Sequence, residues 1–239
     1  MIKEALRYVI ELAKPCITEI DGKKYSDKEM SVIEPPKYYA RAFRVTTLSS
    51  FVKYIKSNKD KFDYENAIIH IAGYDRVLLF SALDEFKRRE YYIECTADVP
   101  SFRFNEYYDA ESFNIKLQSL FCDTKDKAKI LKIAGTIKSE NADTIADDGV
   151  TQVVQTKKGV ILGEDEKVPN PVELAPYRTF TEVEQPISKF IFRISGGPNM
   201  ALFEADGGTW KLVLIQRIKE YLQEALKGDK YTRNITILA

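Results

Sequence analysis

The 239 residues are enough for one large domain or two small ones with a sizeable core. Their 44% hydrophobic and 30% charged content is that of an ordinary folded protein, and 14 Tyr with 13 Phe suit a strand-rich core or a contact surface. With 36 basic against 36 acidic residues the net charge is zero, which disfavours a protein that coats nucleic acid by charge alone.

Ile2, Leu6, Val9, Ile10 and Ala13 fall at helical spacing, and Pro15 ends the run. Glu4 and Glu11 inside that pattern exclude a signal peptide. Asp21-Gly22 is a hairpin dipeptide, and Pro35-Pro36 breaks the chain after it. A helix follows, capped by Thr46 or Thr47, with Leu48, Phe51, Val52 and Ile55 on one face.

Three runs rich in Ile, Val, Leu and Tyr (Ala67–Ile71, Arg76–Ser81, Glu90–Thr96) predict a β-meander. Past Pro100 the pattern predicts helices over Asp109–Phe121 and Lys125–Ile137. The turn-rich stretch 139–185 is too long to be structureless, and strands are expected at Val150–Gln155 and Val160–Leu162. Phe190–Ile194 and Ala201–Ala205 read as strands around a Gly-Gly-Pro-Asn turn, and Thr209 is the expected N-cap of an amphipathic helix from Trp210 to Leu226. The apolar face of that helix (Leu214, Ile218, Tyr221, Leu222, Ala225) must pack on the preceding hairpin or on another subunit, so a homo-oligomer is expected.

The sum is an α+β protein with mostly antiparallel sheets and segregated helices, closed by a hairpin and an amphipathic helix. Residues 1–36 read as a variable helix and hairpin, and 37–239 as a single domain with a candidate sub-boundary near 139–150. No apolar run approaches the roughly 20 residues that span a bilayer, so no membrane is expected as a partner. Cys16, Cys95 and Cys122 are far apart and odd in number, which suits free thiols of a reducing cytoplasm.

Candidate chemistry is sparse. His70 is the sole histidine and sits on a strand, which rules out His-cluster metal sites by count. Carboxylates for a divalent cation exist at Asp143, Asp147 and Asp148, and at Glu204 with Asp206. Each set is equally explained by turn chemistry, so neither a metal nor a cofactor is expected. Gly207-Gly208 at a helix start resembles a phosphate cradle, but Asp206 would repel an anion and no phosphate-loop or dinucleotide fingerprint exists. Ligand contacts are sought where cations neighbour aromatics, at Lys87, Arg88, Arg89 and Tyr91, and at Arg41 and Arg44 near Tyr38-Tyr39. The lysines 125, 127, 129 and 132 read as the charged outer face of a helix.

The strings PYRTFTEVEQP and FRISGGPNMALFEADGGTW, between Pro171 and Trp210, resemble the YfdQ-like family of phage and prophage proteins. TLSSFVKYI at Thr47–Ile55 and FRFNEYYDAESFNIKLQSLF at Phe102–Phe121 are similar as well, so the resemblance spans Thr47–Leu226. It carries no catalytic residue onto this chain. It implies an early phage protein in the cytoplasm of a bacterial host, acting by binding: sequestering a nucleotide signal or inhibiting a host defence protein. A DNA-binding accessory of phage recombination or replication is the alternative, and a metal-dependent nuclease or hydrolase a third.

Overall fold

The structure is a computed structural model that describes residues 2–29, 41–62, 64–139, 144–147, 152–155, 170–195, 199–228 and 234–239. The chain divides into two compact units, Met1–Tyr39 and Ala40–Ala239. The first holds helix α1 (Ile2–Ala13) and a hairpin of β1 (Ile17–Ile20) and β2 (Lys23–Ser26). Asp21 and Gly22 both take positive φ, +52° and +74°, which the tight turn between twisted strands requires.

The second unit starts with β3 (Phe43–Val45) and α2 (Leu48–Ser57), then β4 (Ile68–Gly73), β5 (Arg76–Phe80) and β6 (Tyr91–Thr96). Thr47 caps α2 as expected, its Oγ1 accepting from Ser50 N at 3.3 Å. A second block follows: β7 (Tyr108–Asp109), α3 (Ala110–Leu120), β8 (Phe121–Cys122) and α4 (Lys125–Ser139). The Asp109 carboxylate caps α3 by accepting from Ser112 N and Glu111 N at 2.9 and 3.1 Å. Strands β9 (Thr144–Asp147) and β10 (Gln152–Gln155) form a hairpin of their own. The chain continues through β11 (Val172–Pro176), β12 (Ser188–Ser195), β13 (Asn199–Glu204), α5 (Trp210–Leu226) and β14 (Thr236–Leu238). The expected strand at 160–162, the Pro35-Pro36 break and residues 196–198 of the Gly-Gly-Pro-Asn turn lie outside the described residues.

These elements build an α+β fold around two five-stranded sheets. Sheet I runs β14-β4-β5-β6-β3, antiparallel in the centre and parallel at both edge pairs. Sheet II runs β7-β13-β12-β11-β8 and is antiparallel throughout. Sheet I shares a core with α2 and α5, in which Phe51, Ile55, Ile69, Leu79, Ile93, Ile218 and Leu222 are fully buried. Each such side chain contributes about 1.5–3 kcal/mol relative to its exposed state. Sheet II shares a second core with α3 and α4, around Phe113, Phe121, Phe190 and Phe192.

Two expectations change here. Helix α5 does not pack along the hairpin that precedes it: Ile218, Leu222 and Leu226 join the sheet I core, whereas Phe190, Phe192, Met200 and Leu202 of the hairpin belong to sheet II. Sheet I is therefore made from both ends of the second unit, with all of sheet II between them in the chain. Lys127 is not on an outer charged face but is buried, its Nζ donating to the Gln118 and Phe121 carbonyls and pairing with Asp123 at 2.9 Å. It satisfies orphan carbonyls at the end of α3.

Candidate functional site

The segment Tyr177–Ile187 passes from the end of β11 across to sheet I and back to β12. Phe180 and Val183 insert into the sheet I core, while the backbone returns to sheet II. Its shape is held from inside by Gln185, whose Oε1 accepts from Arg178 N at 2.8 Å and from Thr179 N at 3.3 Å. The Nε2 of the same residue donates to the carbonyls of Phe180 and Val183, both at 3.2 Å. The Thr179 hydroxyl donates to the Tyr74 carbonyl beside β4, and Glu182 accepts from Ser49 N in the first turn of α2. This segment is a polar clasp between the two sheets.

At its start lies Arg178, 7% exposed. Its guanidinium donates to Ser188 Oγ at 3.2 Å, ion-pairs with Glu204 and stacks 3.9 Å from the Trp210 ring centre, with Phe104 and Phe190 at 5.1 and 5.4 Å. Burial draws its pKa below the ordinary arginine value, against the opposing charges of Glu204 and Asp206. The residue stays cationic at neutral pH. Trp210 is thus held by a cation and by Tyr74, whose ring lies 4.8 Å away in an edge-type contact.

In front of this pair opens a groove of about 470 Å³, the size class of small-molecule sites. Trp210 and Ser188 line it together with Lys189 of β12, Arg217 of α5, Glu184 and Asp206. Arg217 is steered by Glu184, donating to its carbonyl at 2.7 Å and pairing with its carboxylate at 3.3 Å. Lys189 is exposed and carries no ion pair with any described residue. The indole N–H of Trp210 is buried without a partner among the described residues.

The start of α5 differs from expectation. Thr209 has helical backbone angles, and its side chain caps nothing: its hydroxyl donates to the Asp206 carbonyl at 3.0 Å. Asp206 takes the turn instead, its Oδ1 accepting from Gly208 N at 3.0 Å, and the N–H groups of Lys211 and Leu212 are used by Gly208 and Thr209 carbonyls. The glycine pair, at φ +64° and +78°, serves turn geometry, and no free row of amides remains to cradle a phosphate. The cations that line the groove are Lys189 and Arg217.

No family model, no curated protein and no solved structure matches this chain. What the site can do is therefore argued from its residues alone.

Of the ligand-contact candidates read from the sequence, Arg44 and Tyr91 are brought together. Both meet at Glu94, a carboxylate 7% exposed on the face of sheet I opposite the helices. Arg44 pairs with it at 3.1 Å and Arg76 at 2.7 Å, while the Tyr91 hydroxyl lies close by. Burial raises the Glu94 pKa, but the Tyr91 hydroxyl and the two guanidinium charges outweigh it and hold the carboxyl below the usual carboxylate range. Tyr91 also stacks on Phe80 at 5.2 Å.

Arg88 and Arg89 are turned into their own loop, Arg88 onto Asp84 at 3.3 Å and Arg89 onto the Ser81 carbonyl at 2.8 Å. Lys87 occupies a tight-turn position with φ +59°, and Arg41 precedes β3, exposed. Tyr38-Tyr39 lie outside the described residues, as do Asp143 and Asp148.

Asp147 ends β9 opposite Gln152 of β10, while Glu204 is committed to Arg178 and Asp206 to its turn. Among the described residues no group of three or more His, Cys, Asp or Glu side chains could hold a metal ion. His70 is exposed on β4, with Leu78 and Leu238 as cross-strand neighbours. Cys95 is buried, which pushes its thiol up to about 12, far from a reactive thiolate. Also among the described residues, no helix is long and apolar enough to cross a membrane.

The groove itself was missed by sequence reasoning. Its two cations stand 28 residues apart in the chain, and no local spacing pairs them.

Proposed function

We propose that this chain acts by binding, and that the Trp210 groove takes a small anionic ligand of nucleotide size. The observation that carries the reading is the convergence of Lys189 and Arg217 on a groove of about 470 Å³ whose wall is an aromatic ring held rigid by Arg178. Two cations suit phosphate oxygens, and Glu184 and Asp206 suit ribose hydroxyls or a base amino group. Following its resemblance to YfdQ-like proteins, the chain belongs to the early programme of a phage or prophage. There it sequesters a nucleotide signal in the cytoplasm of the bacterial host.

Trp210 is the only tryptophan in the sequence, so its emission reports on the groove directly. Titration with nucleoside mono-, di- and cyclic phosphates is expected to change that emission saturably. Lys189→Ala and Arg217→Ala should each weaken the effect by about tenfold, the scale of one charge-assisted hydrogen bond. Unchanged emission and melting temperature across the panel would sink the reading.

A DNA-binding accessory remains the second reading, supported by Arg44, Arg76, Tyr91 and Phe80 on the open face of sheet I. A gel shift that falls steeply with salt, and fails in Arg44→Ala/Arg76→Ala, would favour it over the first.

A further inference from the structure

Among its described residues the first unit has secondary structure but no core. Every described residue of α1, β1 and β2 is exposed. The large apolar side chains Ile2, Leu6, Val9, Ile10, Leu12 and Ile17 are between 58% and 81% exposed, and Tyr8, Ile20 and Tyr25 are more than half exposed as well. What holds the unit together is polar. Lys28 Nζ donates to the carbonyls of Leu12 and Lys14 at the end of α1, and Asp27 Oδ1 accepts from Cys16 N. A 12-residue helix is marginal in water, and so is an isolated two-stranded hairpin. Three polar contacts do not replace the missing apolar burial, so the fold of this unit requires a surface that covers it.

We infer that the cover is a second copy of the same unit, making residues 2–29 a self-association module. Area supports this occupant. At roughly 100 Å² apiece, nine large apolar side chains offer about 900 Å² per chain, so a symmetric pair reaches about 1,800 Å², within the standard range of stable interfaces. Shape supports it too. At 3.6 residues per turn the apolar side chains of α1 cover about 200° of its circumference, from Tyr8 round to Ile10. So wide an arc needs two neighbours, and a symmetric partner offers two, its helix and its hairpin.

Charge argues against a lipid surface, because the polar side of α1 mixes Lys3 and Arg7 with Glu4 and Glu11 instead of presenting a basic strip. The hairpin also keeps both outer edges unpaired with any described strand, which leaves an edge open to the same strand of a second copy.

The test is the solution mass of the full chain, by light scattering over a dilution series. Wild type is expected at two chains, and Leu6→Asp/Val9→Asp and Ile10→Asp each at one. Arg7→Ala, opposite the apolar arc, should leave the pair intact. The variants should keep the melting temperature and Trp210 emission of the second unit, which separates loss of pairing from loss of fold. A single-chain mass for wild type throughout the series overturns the inference. So does a two-chain mass that survives Leu6→Asp/Val9→Asp. Co-sedimentation of wild type with phosphatidylcholine–phosphatidylglycerol vesicles, abolished by the same substitutions, would give the face to a membrane and overturn it equally.

Discussion

Arg178 beside sheet II and Glu94 on sheet I are both buried charged side chains, and the two solutions are opposite. On sheet II the cation Arg178 is buried beneath three aromatic rings, and its partner Glu204 is the accessible member, with 37% of its side chain exposed. On sheet I the carboxylate of Glu94 is buried, and its partners Arg44 and Arg76 reach solvent, with 82% and 50% of their side chains exposed. Arg178 thus belongs to packing and cannot turn outward without emptying the space behind Trp210. Glu94 organises a surface: one carboxylate holds two guanidiniums apart and leaves part of their donor capacity facing out. The first arrangement fills a packed interior, the second shapes a solvent-facing cationic surface.

The sharpest way to break this contrast is Arg178→Ala. It removes an ion pair, a hydrogen bond and the stack under Trp210, and should cost about 3–4 kcal/mol in a denaturant unfolding experiment. A loss below about 1 kcal/mol would mean that the clasp does not depend on the guanidinium. Glu94→Ala is expected to cost less, about 2 kcal/mol, because the arginines it strands are already hydrated. Arg44→Ala and Arg76→Ala should each stay below about 1 kcal/mol, since either leaves Glu94 with one cation.

Acid sharpens the same point. The folded-state pKa of Glu94 lies below its unfolded value, so its contribution is complete above the ordinary glutamate range, near about 4.3, and is lost as pH falls through the lower folded value. Glu94→Gln should flatten that part of the stability–pH curve, measured by urea unfolding at a series of acidic pH values. An unchanged slope would separate Glu94 from the acid transition.

The smallest expected effects lie at the helix starts. Thr47→Ala should cost about 1 kcal/mol, the typical value of a side-chain cap. Thr209→Ala should fall within about 0.5 kcal/mol, because its hydroxyl caps nothing. Equal losses at the two sites would contradict the cap geometry.

Much of the fold was readable because its signals are local. Thr47 stands directly before the helix it caps, and in β12 the alternation of buried Phe190, Phe192 and Ile194 with outward Lys189 and Ile191 is the strand pattern itself. Other features depend on distant partners. The apolar stripe of α5 identifies which side is buried, but nothing in a helical wheel says which sheet receives it. Arg178 reads as a loop charge until Glu204, 26 residues on, and three rings from separate segments converge on it. Lys127 sits among other lysines and differs from them only in facing the end of α3. The candidate site was the least legible part, since its groove exists only where β12 and α5 meet.

The split origin of sheet I sets an order on biosynthesis. Strands β3 to β6 and helix α2 leave the ribosome early, yet the helix that closes their core and the strand that completes their edge are translated last. All of sheet II can form during that interval, because its strands and helices come from one uninterrupted stretch. The nascent chain must meanwhile carry the apolar face of β4–β6 covered only by α2, a window in which chaperone capture or aggregation competes with folding. Slow or stalled translation just before Trp210 would therefore harm this protein more than a pause anywhere within sheet II.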